Sequence, residues 1–138
     1  MEVTTAINRM SHLLAGGIAR QLQPFRITFP QYEALVLLAF SQDGVLPLGS
    51  MRHRLMIHPA TVTNTINQLE SKGLVERLRD NGDRRVVFAK LTPEGREVAV
   101  AASETLVASK FGLSDMTDAQ ADAIASALAS YRRRPPHG

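Results

Sequence analysis

The feature that most constrains this chain is a stretch of punctuation between residues 59 and 95. Pro59 opens a helical pattern that Gly73 closes, and two β-type runs, Leu74 to Arg79 and Arg85 to Leu91, flank the turn residues Asp80-Asn81-Gly82-Asp83. Thr92-Pro93-Glu94 then supplies a hydroxyl cap, a first-turn proline and an acid at the positive end of a new helix dipole. Glycine past a helix end and Asn-Gly between strand-prone residues leave the backbone little choice. The order is helix, hairpin, helix.

Helical spacing extends this frame in both directions. Ile7, Met10, Leu14, Ile18 and Leu22 predict a first helix from about Glu2 to Gln23, stopped by Pro24. Gly16 and Gly17 weaken it by up to about 1 kcal/mol each, so close approach of another helix is one reason to keep them. Pro30 begins a second helix to about Ser41, whose apolar Ala34 to Phe40 stretch is expected to be the most buried part of the fold, before a Gln42-Asp43-Gly44 loop. Leu48 to Met56 reads as a short third helix with Leu48, Met51 and Leu55 inward and Arg52, His53 and Arg54 outward. A fifth helix should run from Thr92 to about Lys110. Thr117 to Gln120 has capping-box spacing, and Ala121, Ile124, Leu128 and Tyr131 give a sixth helix one apolar stripe. The fold class is mainly α, six helices with a two-stranded β-wing.

At 138 residues the chain reads as a single domain, 1–138, too short for a catalytic domain beside a separate DNA module. It contains no cysteine, which excludes disulfides, thiol catalysis and thiol-based redox sensing, and the cytoplasm is the expected location. His12, His53, His58 and His137 are scattered without ligand spacing, so no metal site is expected. Neither a phosphate loop nor a nucleophile motif is present; an enzyme is not expected, nor any cofactor.

Charge is uneven. Between Ser50 and Arg96 nine basic residues face five acidic ones, whereas the remainder of the chain carries seven against eight. In the fourth helix Val62, Ile66 and Leu69 define an apolar side, leaving Thr61, Asn64, Thr65, Gln68 and Ser71 free and Thr63 and Asn67 toward the flanks. An uncharged face of hydroxyls and amides suits the major groove, where Asn or Gln meets the N6 and N7 of adenine. A plain solvated face has the same composition. Arg77, Arg79, Arg84 and Arg85 around the following turn favour DNA, since arginines on a hairpin track phosphates or enter a minor groove. Asp83 is placed to orient one of them.

Leu69 to Arg77, Asp83-Arg84-Arg85 and Leu91-Thr92-Pro93-Glu94-Gly95 together resemble the multiple-antibiotic-resistance regulator (MarR) family of winged helix-turn-helix transcription factors. The resemblance implies a DNA-binding lobe over 30–91, dimerisation helices at 1–23 and 92–134, and a tail at 135–138. It implies that Thr61, Thr63, Asn64, Thr65, Asn67 and Gln68 face the major groove, that Arg85 is the wing arginine braced by Asp83, and that Arg52, Arg77, Arg79 and Arg84 assist. It further implies a homodimer on double-stranded DNA with near-palindromic half-sites about 10 base pairs apart. A ligand-responsive repressor is the commoner role, and an apolar or phenolic anion the kind of effector. Two positions depart from the family pattern: Asn64, where a basic residue is frequent, and Arg52, where a small one is. Either the wing and Arg52 take more phosphate contacts or binding is weaker. The alternative of another class is a non-catalytic winged-helix protein-interaction module.

Overall fold

A computed structural model describes residues 2–55 and 57–131. In chain order the elements are α1 (Glu2–Leu22), α2 (Phe29–Ala39), β1 (Val45–Pro47), α3 (Leu48–Leu55), α4 (Pro59–Ser71), β2 (Val75–Arg79), β3 (Val87–Leu91), α5 (Pro93–Ala108) and α6 (Asp118–Ser130), with 3-10 turns at Gln23–Phe25, Gln42–Gly44 and Lys110–Gly112. The expected end of the third helix at Met56, the end of the last dimerisation segment at 132–134 and the tail at 135–138 lie outside the described residues.

The wing is part of a three-stranded antiparallel sheet in the order β1-β3-β2, not a two-stranded hairpin alone. Val45, Leu46 and Pro47 pair with Lys90, Ala89 and Phe88 of β3. Three residues are too few to show a period, and proline lacks a ladder donor, so β1 reads as loop in sequence; at a sheet edge that missing donor costs little. Arg85, expected to begin the returning strand, stands in the turn before it.

Helix ends follow the caps. Gly73, at φ +73°, terminates α4 while the Leu74 amide donates to the Leu69 carbonyl at 3.0 Å and the Gly73 amide to Glu70 at 3.0 Å, a paired pattern that satisfies two orphan carbonyls. Thr92 and Thr117 cap α5 and α6, and Thr117 and Gln120 form the expected capping box. A second box, Thr28 with Gln31, starts α2.

One core runs through α1, α2, α3, α4, the sheet and α5. Leu22, Leu35, Leu38, Met51, Ile66, Leu69, Val75 and Leu106 are its largest fully buried side chains, each contributing about 1.5–3 kcal/mol by leaving water. Ala34 to Phe40 is not uniformly buried, because Phe40 at the end of α2 is 88% exposed. Helical rotation carries it past the core face on which Leu35 and Leu38 lie.

Two glycines weld distant segments. A Cβ on Gly17 would stand 3.2 Å from the Gly112 Cα, so α1 lies against the Lys110–Gly112 turn, the close approach its sequence suggested; beside Gly16 only the Arg20 side chain comes near. At Gly95 a Cβ would meet the Leu74 carbonyl oxygen at 2.0 Å. There the Thr92 hydroxyl donates to the Gly73 carbonyl at 2.8 Å and accepts from the Gly95 amide at 3.0 Å. The Leu-Thr-Pro-Glu-Gly run thus fastens the start of α5 to the end of α4.

Candidate nucleic-acid interface

Helix α4 packs inward through Val62, Ile66 and Leu69, and apart from Glu70 near its C-terminal end its remaining surface carries no charge. Thr61, Thr63, Asn64, Asn67 and Gln68 are exposed. Thr65 is not: it is 5% exposed and lies with the buried residues. At i+3 from Val62 and i−4 from Leu69 it falls on the inner edge of the helix, where a small hydroxyl side chain fits among apolar neighbours. Thr65 is thus not one of the free positions that the apolar spacing of α4 predicts. His58 caps the helix, its Nδ1 accepting from the Ala60 amide at 3.2 Å.

The hairpin is bolted to the flank of α4. Arg77, half-buried on β2, donates through Nη2 to the Thr63 carbonyl at 3.4 Å and to the Asn67 side-chain oxygen, while its backbone amide donates to Glu70 Oε2 at 3.2 Å. Its Nε is buried without a partner among the described residues. Arg77 therefore serves as a bracket between strand and helix and is not the freely projecting arginine that the sequence implied. Asn67 has its carboxamide oxygen occupied by the same bracket. Strand alternation puts Arg79 on the face of Arg77, one step outward.

Beyond the bracket the wing tip is built around its own acid. The Asp80 carboxylate accepts from the Gly82 amide at 2.9 Å. Asp83 Oδ1 accepts from the Arg85 amide at 3.0 Å and from Arg85 Nε at 3.4 Å, so Asp83 and Arg85 form the anticipated pair. Arg79 Nη1 donates to the Arg84 carbonyl at 3.0 Å, stapling the base of the turn. The Arg85 side chain is 93% exposed, so an oriented guanidinium projects into solvent with most of its donors unspent. Such an ion pair adds little stability on a surface; its effect is on direction. Arg52 is also exposed, on α3, with Nη2 at 3.5 Å from the His53 ring.

What the sequence missed is Gln31, buried at 3% exposure in the first turn of α2. Its Nε2 donates to Gln68 Oε1 at 2.7 Å, so the Gln68 carboxamide is tied inward at its oxygen. A buried amide partner 37 residues away leaves no periodic trace. Among the described residues no three His, Cys, Asp or Glu side chains gather to hold a metal ion, and no helix is long and apolar enough to cross a membrane.

A helix-turn-helix, α3 to α4, followed by a hairpin fixed to the second helix defines the winged helix-turn-helix class. Residues 27–87 match the MarR family model. Over 94% of this chain and 90% of the other, the fold superposes with a TM-score of 0.87 and 38% identity on Sco5413, a MarR family transcriptional regulator from Streptomyces coelicolor. Sco3205 of the same organism, a MarR family regulator solved in complex with DNA, aligns at 25% identity and TM-score 0.77 over 92% of this chain and 81% of its own. The organic hydroperoxide resistance transcriptional regulator of Bacillus subtilis is 33% identical over 110 residues, 78% of this chain and 71% of that protein. The chain belongs to the MarR family of transcriptional regulators. It spans 49% and 64% of the length of two other curated regulators that it matches, YhbI of Bacillus subtilis and TtmR of Methylorubrum extorquens.

Proposed function

We propose that this chain is a sequence-specific, double-stranded DNA-binding transcriptional regulator of the cytoplasm, acting as a homodimer on a near-palindromic operator and as a ligand-responsive repressor. The observation that carries the reading is the neutral polar face of α4 bracketed by Arg77 to a wing whose Arg85 is exposed and oriented by Asp83. Hydroxyls and amides read base edges, while oriented guanidinium groups find phosphates or a narrowed minor groove. Thr61, Thr63 and Asn64 are the base-reading candidates, with Asn67 and Gln68 offering mainly their NH2 groups. Arg52, Arg79, Arg84 and Arg85 are the backbone-contact candidates, and Arg77 and Asp83 position them.

A homodimer is supported by the terminal helices. Every residue of α6 is exposed, including Ile124 and Leu128, and α1 and α5 leave Val3, Ile7, Leu13, Val100 and Val107 exposed. Apolar positions on three helices from both ends of the chain fit burial against a second copy. On this reading 30–91 is the DNA-binding lobe, and 1–23 with 92–134 the dimerisation part. An effector, an apolar or phenolic anion, would act by favouring one of two spacings of the paired lobes. With no cysteine in the chain, that effector is not a peroxide read through a thiol.

The test is a selection of the purified protein against random duplex DNA, with affinity followed against salt. A two-fold motif with half-sites about one helical turn apart is the expected result. Salt-sensitive binding without a motif reduces the reading to a nonspecific binder, and absence of binding shifts it to a protein-interaction module.

A further inference from the structure

We infer that Gln31 and Lys72 are positioning residues that lock the recognition helix to the α1–α2 corner and so set which half-site spacing is accepted; this deepens the DNA-binding reading and rests on it.

The corner is an unusual piece of backbone. After α1 and the Gln23–Phe25 turn, Arg26 adopts φ 56°, ψ 37°, a left-handed conformation that a residue with a Cβ rarely adopts. Lys72, at the C-terminal cap of α4, donates through Nζ to the Arg26 carbonyl at 2.5 Å and to Gln31 Oε1 at 3.0 Å. The same Oε1 accepts from the Thr28 amide at 3.1 Å, and Gln31 Nε2 passes to Gln68 Oε1 at 2.7 Å.

Donor chemistry fixes the orientation of this clamp. A backbone amide and an ammonium group only donate, so the Gln31 oxygen must face them and its NH2 must face Gln68. A single buried carboxamide thereby joins the corner below α1, the first turn of α2 and two successive turns of α4. Apolar packing between helices is non-directional; hydrogen bonds, above all those from a charged donor, fix angle as well as distance. If α1 belongs to the dimer and α4 to the groove, the angle between them sets the separation of the two recognition helices.

Operators differing by one base pair between half-sites provide the readout, since each insertion shifts the half-sites by about 3.4 Å and about 35°. The full chain and its Lys72→Met, Gln31→Leu and Lys72→Arg variants are measured on the selected operator and on derivatives with one base pair added or removed. Wild type and Lys72→Arg should keep a preference of about tenfold or more for one spacing. Lys72→Met and Gln31→Leu should cut that preference to about twofold with base preference inside each half-site unchanged. An equal loss of affinity at every spacing, or no change, overturns the inference and leaves the clamp a stabilising contact. Failure of the wild type to select any two-fold motif overturns instead the DNA reading on which it rests. Lys72 is exposed, so Lys72→Met against Lys72→Arg decides the matter even where Gln31→Leu does not fold.

Discussion

The winged lobe and the terminal helices solve the same problem in opposite ways. In the lobe, α2, α3, α4 and the sheet close on Leu35, Leu38, Met51, Ile66, Leu69 and Val75, all buried, and spend some of their polar side chains on brackets such as Arg77 to Asn67. In the terminal helices, α6 buries nothing, and α1 and α5 turn Ile7, Leu13 and Val107 to solvent. Both parts share one core, to which α1 and α5 give Leu22 and Leu106, but the terminal helices also carry apolar side chains on an outer face. The difference separates a part whose apolar surface is largely closed from one whose apolar surface is open, a surface that on the homodimer reading a second copy would cover.

The sharpest way to break the contrast is at the weld between the two parts. Gly95→Ala drives a Cβ into the Leu74 carbonyl, and an unfolding free energy lowered by about 3 kcal/mol or more is expected in urea titrations. A smaller loss would mean that the α4–α5 junction gives way easily. Next comes the open face: Leu128→Lys, on a helix that touches no core, should leave the melting temperature of dilute protein within a few degrees. On the homodimer reading it should also raise the dimer dissociation constant about tenfold or more, followed by sedimentation. An unaffected assembly would remove α6 from the interface.

Within the lobe, Asn64→Ala should cost about 1–3 kcal/mol at one base pair of each half-site. Arg85→Ala should weaken binding to all sequences and reduce the salt slope by about 1. Titrations on single-substituted operators at several salt concentrations separate the two, and interchange of these signatures would reverse the assigned roles of helix and wing. The smallest effect compares neighbours on α1. Gly16→Ala should stabilise by up to about 1 kcal/mol through helix propensity, whereas Gly17→Ala meets Gly112 at 3.2 Å and should gain nothing or lose stability. Equal gains would show that the α1 crossing is loose.

Much of this architecture is legible in the sequence because its signals are local. Gly73, Thr92-Pro93 and Thr117 to Gln120 each act within four residues, and each sits where its chemistry predicts; the turn at Asp80-Asn81-Gly82-Asp83 is in place but wider than its Asn-Gly pair implies, running on to Val86 with neither Asn81 nor Gly82 at positive φ. Long-range features are not legible in this way. Strand β1 exists because β3 offers a partner some 43 residues on, and Thr65 is buried because of what lies across from it, not because of its own polarity. Arg77 illustrates the limit for the candidate site. An arginine beside a turn reads as a projecting charge, and only the placement of Asn67 and Thr63 turns it into a bracket. Gln31 is illegible in sequence for the same reason: its use is defined by Lys72 and Gln68.

The Lys110–Gly112 turn carries one more consequence. Lys110, Phe111 and Gly112 all have positive φ, at 53°, 56° and 80°, and the last of them lies against Gly17. Three successive left-handed residues pressed on a helix backbone leave no slack for an added or deleted residue. In the segment from Ser114 to Met116, before the Thr117 cap, no residue has positive φ, and Ser114 and Asp115 are exposed. Changes in chain length between α5 and α6 during divergence, or a peptide inserted by an engineer, therefore belong in those three residues, where the loop lengthens while both helices keep their register.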